Sequence, residues 1–164
     1  MSELHIKGLS ELNKFLQELP VKIEKNVLRG SLRAGMNVVK PVAQRNIHSV
    51  SGLLAKGLKV RTNARGGKVT ASLRTTGPHA WIARFVEFGT RAHRIPKLGQ
   101  IANLFFGGRF AKSVDHPGAK PHPFLRPALD SEAGRATVAA GEYMKQRLES
   151  RHGLDTAYIE IEEG

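Results

Sequence analysis

The chain has 164 residues, 40% of them apolar, with 17 Gly and 8 Pro, which supports one hydrophobic core and argues against a second full domain. Cysteine is absent, which removes disulfides, thiolate zinc sites, iron–sulfur ligation and cysteine nucleophiles, and fits assembly in a reducing cytosol. Lys and Arg number 26 against 14 acids, and the net charge of +12 favours nucleic acid, acidic protein or anionic lipid without choosing among them. No stretch approaches the roughly 20 apolar residues that cross a bilayer. Met1-Ser2-Glu3-Leu4-His5-Ile6 lacks the basic-then-apolar layout of a secretory leader, so membrane insertion and secretion by that route are disfavoured.

In chain order, Leu9, Leu12, Phe15, Leu16 and Leu19 recur at helical spacing ahead of Pro20, and predict a short amphipathic helix over residues 10–19. From Val21, the residues Ile23, Val27, Leu28, Leu32, Val38, Val39, Val42 and Ile47 extend a helical pattern to about His48. Pro41 removes a backbone donor, and Gly30 and Gly35 lower helix propensity, so this helix is expected to be bent or split. Residues 57–63 and 68–75 alternate around Ala64-Arg65-Gly66-Gly67 and predict a β-hairpin. Leu58, Val60, Val69, Ala71 and Leu73 form its apolar face, leaving Lys59, Arg61, Lys68, Ser72 and Arg74 as a basic strip on the other. Residues 80–88 are apolar and fit either a strand or a short helix. A last helix runs from about Pro127 to Arg151, and a final strand is possible near Tyr158 to Ile161.

The segment 89–123 is unusual: five Gly, four Pro, six Lys/Arg and one acid, Asp115, with Ile101, Leu104, Phe105, Phe106 and Phe110 among them. Compact domains seldom hold so long a loop, and its aromatics require cover. Either a partner surface supplies that cover, or the segment folds back as an extra hairpin or helix. The fold class is therefore α+β: a small antiparallel sheet with a basic hairpin, packed by a long kinked N-terminal helix and a C-terminal helix, plus a long extended arm at about 89–123. The whole of 1–164 reads as one domain with an acidic tail at about 152–164.

Charge is also polarised along the chain. Residues 22–74 hold twelve Lys/Arg and one acid, Glu24, whereas residues 128–164 hold four Lys/Arg and eight acids. Complementary halves suit either one fold or contacts between neighbouring copies. Catalytic motifs fail. Gly66-Gly67-Lys68 is followed by Val69 rather than Ser/Thr, so it is no phosphate-binding loop. His93, His116 and His122 share a segment whose one acid is Asp115, too little for an expected metal site. No nucleophile signature is present, and residues 25–127 offer only Glu87 and Asp115 as carboxylates. An enzyme is not expected, and neither is a cofactor. Glu87 lies in Phe85-Val86-Glu87-Phe88-Gly89-Thr90, where burial would demand a partner within the chain or across a subunit contact. Gly89 suggests a backbone conformation that a β-carbon would hinder.

The succession of the Leu9-x-x-Leu12 helix, Ala43-x-x-Asn46-x-x-x-x-x-Gly52-x-Leu54, a hairpin, Phe85-Val86-Glu87-Phe88-Gly89-Thr90 and His116-Pro117-Gly118-Ala119-Lys120-Pro121-His122-Pro123-Phe124-Leu125-Arg126-Pro127-Ala128-Leu129 resembles the gp-ten-like family of lambdoid tailed bacteriophages. The resemblance covers roughly residues 8–150 and departs from the family at Asn46–Leu53, where many members read Ala-Pro-x-x-Thr-Gly-x-Leu. It implies a non-enzymatic head–tail joining or tail-completion subunit that forms a homo-oligomeric ring of six copies. The ring would sit in the virion neck or at the head-proximal end of the tail, against connector and tail-terminator or tail-tube proteins, after assembly in the host cytoplasm. Subunit contacts are then expected at Glu87, Phe88, Gly89, Thr90, Phe105, Phe106, Phe110, Phe124 and Arg126. Lys59, Arg61, Lys68 and Arg74 are the expected contacts to double-stranded DNA in the lumen or to an acidic partner. The competing reading is a sequence-independent nucleic-acid-binding module using the basic hairpin, whose strip lacks the interleaved aromatics that stack single-stranded bases.

Overall fold

The computed structural model describes residues 21–47, 52–96, 104–106, 108–111, 113–153 and 155–157. The helix expected over residues 10–19 and the strand expected near Tyr158 lie outside the described residues.

Helix α1 (Val21–Asn46) is continuous through Gly30, Gly35 and Pro41, so of the bend or split expected there the split does not occur. Pro41 stands on the exposed side of the helix, where the carbonyl it leaves without a donor meets water. Val27, Ser31, Gly35, Val39, Ala43 and Ile47 are buried at a strict spacing of four. Four residues advance an α-helix by about 40° beyond one turn, so this stripe winds around α1 and offers its two halves to different partners. The Ser31 hydroxyl donates to the Leu28 carbonyl at 3.0 Å, which satisfies it inside the stripe.

The lower half of the stripe meets the C-terminal helix α4 (Leu125–His152), which runs antiparallel to α1. Small residues allow the approach. A β-carbon on Gly35 would stand 2.6 Å from the Ala136 carbonyl oxygen, and one on Gly30 would collide with the Tyr143 ring. The glycines that weaken α1 as an isolated helix are thus the positions at which the two longest helices touch.

The upper half of α1 packs on the core: Val39, Ala43, Ile47, Leu54, Leu58, Ala83, Phe124 and Ala128. Leu54 comes from the short helix α2 (Leu53–Lys56), which Gln44 secures by donating from Nε2 to the Ala55 carbonyl at 2.9 Å. Strands β1 (Leu58–Arg65) and β2 (Lys68–Thr75) form the hairpin, with Leu58 opposite Thr75 and Arg65 opposite Lys68. Its turn is Gly66-Gly67, at φ 57° and 73°. Positive φ at both central residues is what a two-residue turn of this twist requires. The face with Leu58, Val60, Ala71 and Leu73 is the more buried one, and Arg33 of α1 reaches Thr62 on it at 3.4 Å.

After the hairpin, residues 82–88 resolve as helix α3 (Ile82–Phe88) rather than strand. The segment expected as an extended arm, with an extra hairpin or helix as the alternative, contains two antiparallel pairings. Strand β3 (His93–Pro96) pairs with β6 (Ser113–His116), and β4 (Leu104–Phe106) pairs with β5 (Arg109–Ala111). Gly108, at φ 78°, serves the inner turn. Backbone pairing between the two sides of the arm overcame a Gly/Pro content that reads as loop. The described residues therefore form three two-stranded ladders instead of one sheet. At its far end α4 stops at Gly153, whose left-handed conformation lets its N–H cap Glu149 and Leu148. Thr156, buried beyond it, donates its hydroxyl to the Glu149 carboxylate.

Gly35→Ala and Gly30→Ala separate helix propensity from packing. In a free helix each would add up to about 1 kcal/mol of stability. Here Gly35→Ala is expected to destabilise the protein by about 1–3 kcal/mol in urea unfolding, because a backbone carbonyl blocks the methyl. Gly30→Ala is expected to cost less, because the blocking group is the far end of a side chain that can swing. Equal stabilisation by both would refute the close helix contact.

Candidate interaction surface

Helix α3 is amphipathic in an inverted sense. Ala83 and Glu87, four apart, face inward, whereas Trp81, Phe85 and Phe88 lie along the outward face. Trp81 and Phe88 are 64% and 68% exposed, and the Trp81 and Phe85 rings meet edge to face at 5.7 Å. A carboxylate therefore occupies the inner side of a helix whose aromatics are outside.

The inward carboxylate has a defined task. Glu87 Oε2 accepts from the backbone N–H of Phe124 at 2.8 Å and Leu125 at 3.0 Å, and Oε1 accepts from the N–H of Arg126 at 3.3 Å. These are the donors that the first turn of α4 leaves without helical partners. The next position is Pro127, which has no N–H. One carboxylate and one proline thus account for the whole N-terminus of a 28-residue helix whose N-cap residue, Phe124, offers no side-chain acceptor. The negative charge also lies at the positive end of the helix dipole. Glu87 meets the demand of its burial within the chain, and Phe124, at 0% exposure, is a core residue. Both are expected from the sequence as subunit-contact positions, and both side chains are turned inward.

Around this cap the two motifs close on each other. The Val86 carbonyl accepts from the His122 N–H at 2.7 Å. Thr90 and Ala119 exchange backbone hydrogen bonds at 2.9 and 3.1 Å, and the Thr90 hydroxyl accepts from the Ala119 N–H at 2.9 Å. Gly89, at φ 70°, brings its backbone so near residues 119–121 that a β-carbon would stand 2.5 Å from the Ala119 carbonyl oxygen. Residues 86–90 and 119–126 form one clasp that fixes the root of the arm and the start of α4 together.

Two grooves flank α3. One, of about 590 Å³, lies between β2, α3 and the start of α4 and includes Leu73, Phe88, Leu125 and Leu129. The other, of about 740 Å³, includes Trp81, Phe85 and Phe88 and ends at Gly89 and Thr90. Arg84 borders both, and Arg74 and Arg126 border the first. The ion pairs found among the described residues, Arg94 with Asp115 at 3.8 Å and Arg135 with Glu132 at 2.9 Å, do not involve these three arginines. An apolar patch of this kind, edged by cations, is the usual mark of a protein contact.

The remaining expected residues fall in three places. Lys59, Arg61, Lys68 and Arg74 project from the hairpin face opposite α1, with Lys59 opposite Arg74 and Arg61 opposite Ser72, and Arg65 opposite Lys68 extends the strip. Alternation read only to residue 63 assigns Arg65 to the turn; one further step finds it on the strip. Phe105 is exposed on the arm, and Phe106 and Phe110 lie in its inner pairing. Arg126 is exposed beside the first groove. Trp81 and Phe85 are not among the expected contacts, although spacings of four and three to Phe88 place all of them on one helix face. His93 and His116 stand opposite each other with ring centroids 5.1 Å apart, and among the described residues no group of three or more metal-ligating side chains forms.

Comparison with protein families matches residues 10–89 to the HK97-gp10-like family, described as "Bacteriophage HK97-gp10, putative tail-component". No curated protein and no solved structure matches the chain. The family match ends at Gly89, so it takes in the long helix, the hairpin and α3 but not the arm or α4. Over that span the chain is similar to a phage tail component, which agrees with the resemblance carried by its motifs.

Glu87→Gln keeps the shape of the side chain but replaces one acceptor oxygen with a donor that faces backbone N–H groups. We expect a loss of about 2–3 kcal/mol, seen as a Tm lower by about 4–12 °C. A Tm unchanged within about 1 °C would show that the cap contributes little.

Proposed function

We propose that this chain is a phage tail component, a non-enzymatic, ring-forming subunit that completes the head-proximal end of the tail and joins it to the head. The observation that carries the reading is the outward aromatic face of α3, set on a helix whose inner side is committed to the clasp. A patch built from Trp81, Phe85 and Phe88 and held rigidly by a buried cap suits a permanent contact better than a passing one. The arm rooted at Thr90 and Ala119 extends from the same place, so a neighbour reached by the arm would also meet the patch. On this reading the ring has six copies, assembles in the host cytoplasm and ends up in the virion. Its other contacts are connector and tail-terminator or tail-tube proteins above and below.

A second reading concerns DNA, and the hairpin register favours it. Five cations on the face turned away from α1 are available to phosphates in a ring lumen, or to free duplex if the chain acts as a nucleic-acid-binding module. Phosphate contacts weaken with salt in proportion to their number. Replacing Lys59 and Arg61 with Gln should therefore reduce the slope of log K against log salt by about 0.9 for each phosphate that is no longer neutralised. An unchanged slope would remove the strip from the DNA contact.

The joining role is tested by complementing a phage that lacks this gene with a Phe88→Ser variant. The side chain is exposed, so circular dichroism should show a folded protein. Electron microscopy of the lysate should then show heads and tails unjoined. Normal yields of complete virions from the folded variant would refute a joining contact at α3.

A further inference from the structure

The groove between β2, α3 and the start of α4 makes specific demands on an occupant. Its apolar residues include Leu73, Phe88 and Leu129, and its rim carries Arg74, Arg84 and Arg126. The acid that borders it, Glu87, has both oxygens engaged by the N-terminus of α4. The occupant must therefore bring closely spaced apolar side chains together with carboxylates. Tyr158-Ile159-Glu160-Ile161-Glu162-Glu163 has that pattern in its sequence. Drawn out as an extended segment, it would set Ile159 and Ile161 to one side and Glu160 and Glu162 to the other. Strand β2 borders the groove and, among the described residues, has β1 as its only strand partner, which leaves one edge for an added segment.

We propose that this groove receives residues 158–163 of a second copy of the chain. The inference rests on the reading of the protein as a self-associating subunit and assigns that association a contact. Reach excludes the same chain. Thr156 is bonded to Glu149, so Ala157 starts at the C-terminal end of α4, whereas Leu129 lies at the other end. From Leu129 to Leu148 the helix rises about 29 Å at 1.5 Å per residue. The four residues from Ala157 to Ile161 span at most about 14 Å. The tail of one copy in the groove of the next is a head-to-tail contact, the kind that closes into a ring when the rotation allows.

The absence of cysteine makes the contact directly testable. Full-length Leu129→Cys and full-length Ile161→Cys chains are mixed, mildly oxidised and run without reductant, with Phe88→Cys and Ile159→Cys as a second pair. A disulfide requires Cα atoms within about 7 Å, so a crosslinked pair of chains reports the proposed seat. The yield should exceed, by about tenfold or more, that of Lys68→Cys with Ile161→Cys. Adding Arg84→Glu and Arg126→Glu to the groove chain should lower it about tenfold, and Glu160→Arg with Glu162→Arg on the tail chain should restore it. Yields no higher than the Lys68→Cys control in both pairs would overturn the proposal. So would closure of the link within one chain that carries both Leu129→Cys and Ile161→Cys. Sedimentation of the unmodified protein distinguishes the two levels. A multimer without the crosslink removes the tail contact and leaves self-association standing, whereas a monomer removes both.

Discussion

The hydrogen bonds from the start of α4 to the Glu87 carboxylate are the interaction on which the rest of the arrangement depends. A buried helix end exposes donors that no residue of its own turn can satisfy when the N-cap is phenylalanine. Supplying the acceptor from 37 residues upstream ties the helix to α3, and through α3 to the root of the arm. Bonds from N–H groups to a carboxylate contribute about 1.5–3 kcal/mol each, and leaving such donors buried and unpaired costs a similar amount. The geometry also explains why α3 faces the way it does. With Glu87 fixed inward, the helical period sends Trp81, Phe85 and Phe88 outward.

The second constraint is the close passage of α1 and α4. It relies on glycine and alanine at the points of closest approach, with the Tyr143 ring set against Gly30, and α4 is buried fully at only two of its described positions, Ala128 and Leu148. The core cluster gathers its larger side chains where the hairpin, α2, α3 and the head of α4 converge: Leu54, Leu58 and Phe124. The molecule thus divides into a packed head, which carries the clasp and the aromatic face, and a long helical pair.

Much of this is legible in the sequence, for identifiable reasons. The hairpin is local: alternation and a Gly-Gly turn determine it within eighteen residues. The helices are periodic, and α4 lies within two residues of its expected start and one of its expected end. The arm reads as loop because its pairings join residues up to 23 apart, such as His93 and His116, across a composition that favours turns. The inward placement of Glu87 and Phe124 presents the same difficulty. Phe-Val-Glu-Phe-Gly-Thr and the Pro-Phe-Leu-Arg-Pro segment both look special, but nothing in either shows that each is the other's partner. Gly30 and Gly35 read as weak points in a helix, because propensity is a property of one segment whereas a helix crossing belongs to two.

The pairing of α1 with α4 also orders events during synthesis. Residue 30 meets residue 143, so the first described helix has to wait for more than a hundred further residues before its glycine-lined face has anything to pack against. At about 5–20 residues per second, that is roughly 5–20 s of translation. The hairpin can form within that interval from local contacts alone, whereas the cap on Glu87 and the helical pair are completed only as the last helix is made. The residues of this helix crossing are thus among the last of the described structure to become available to one another.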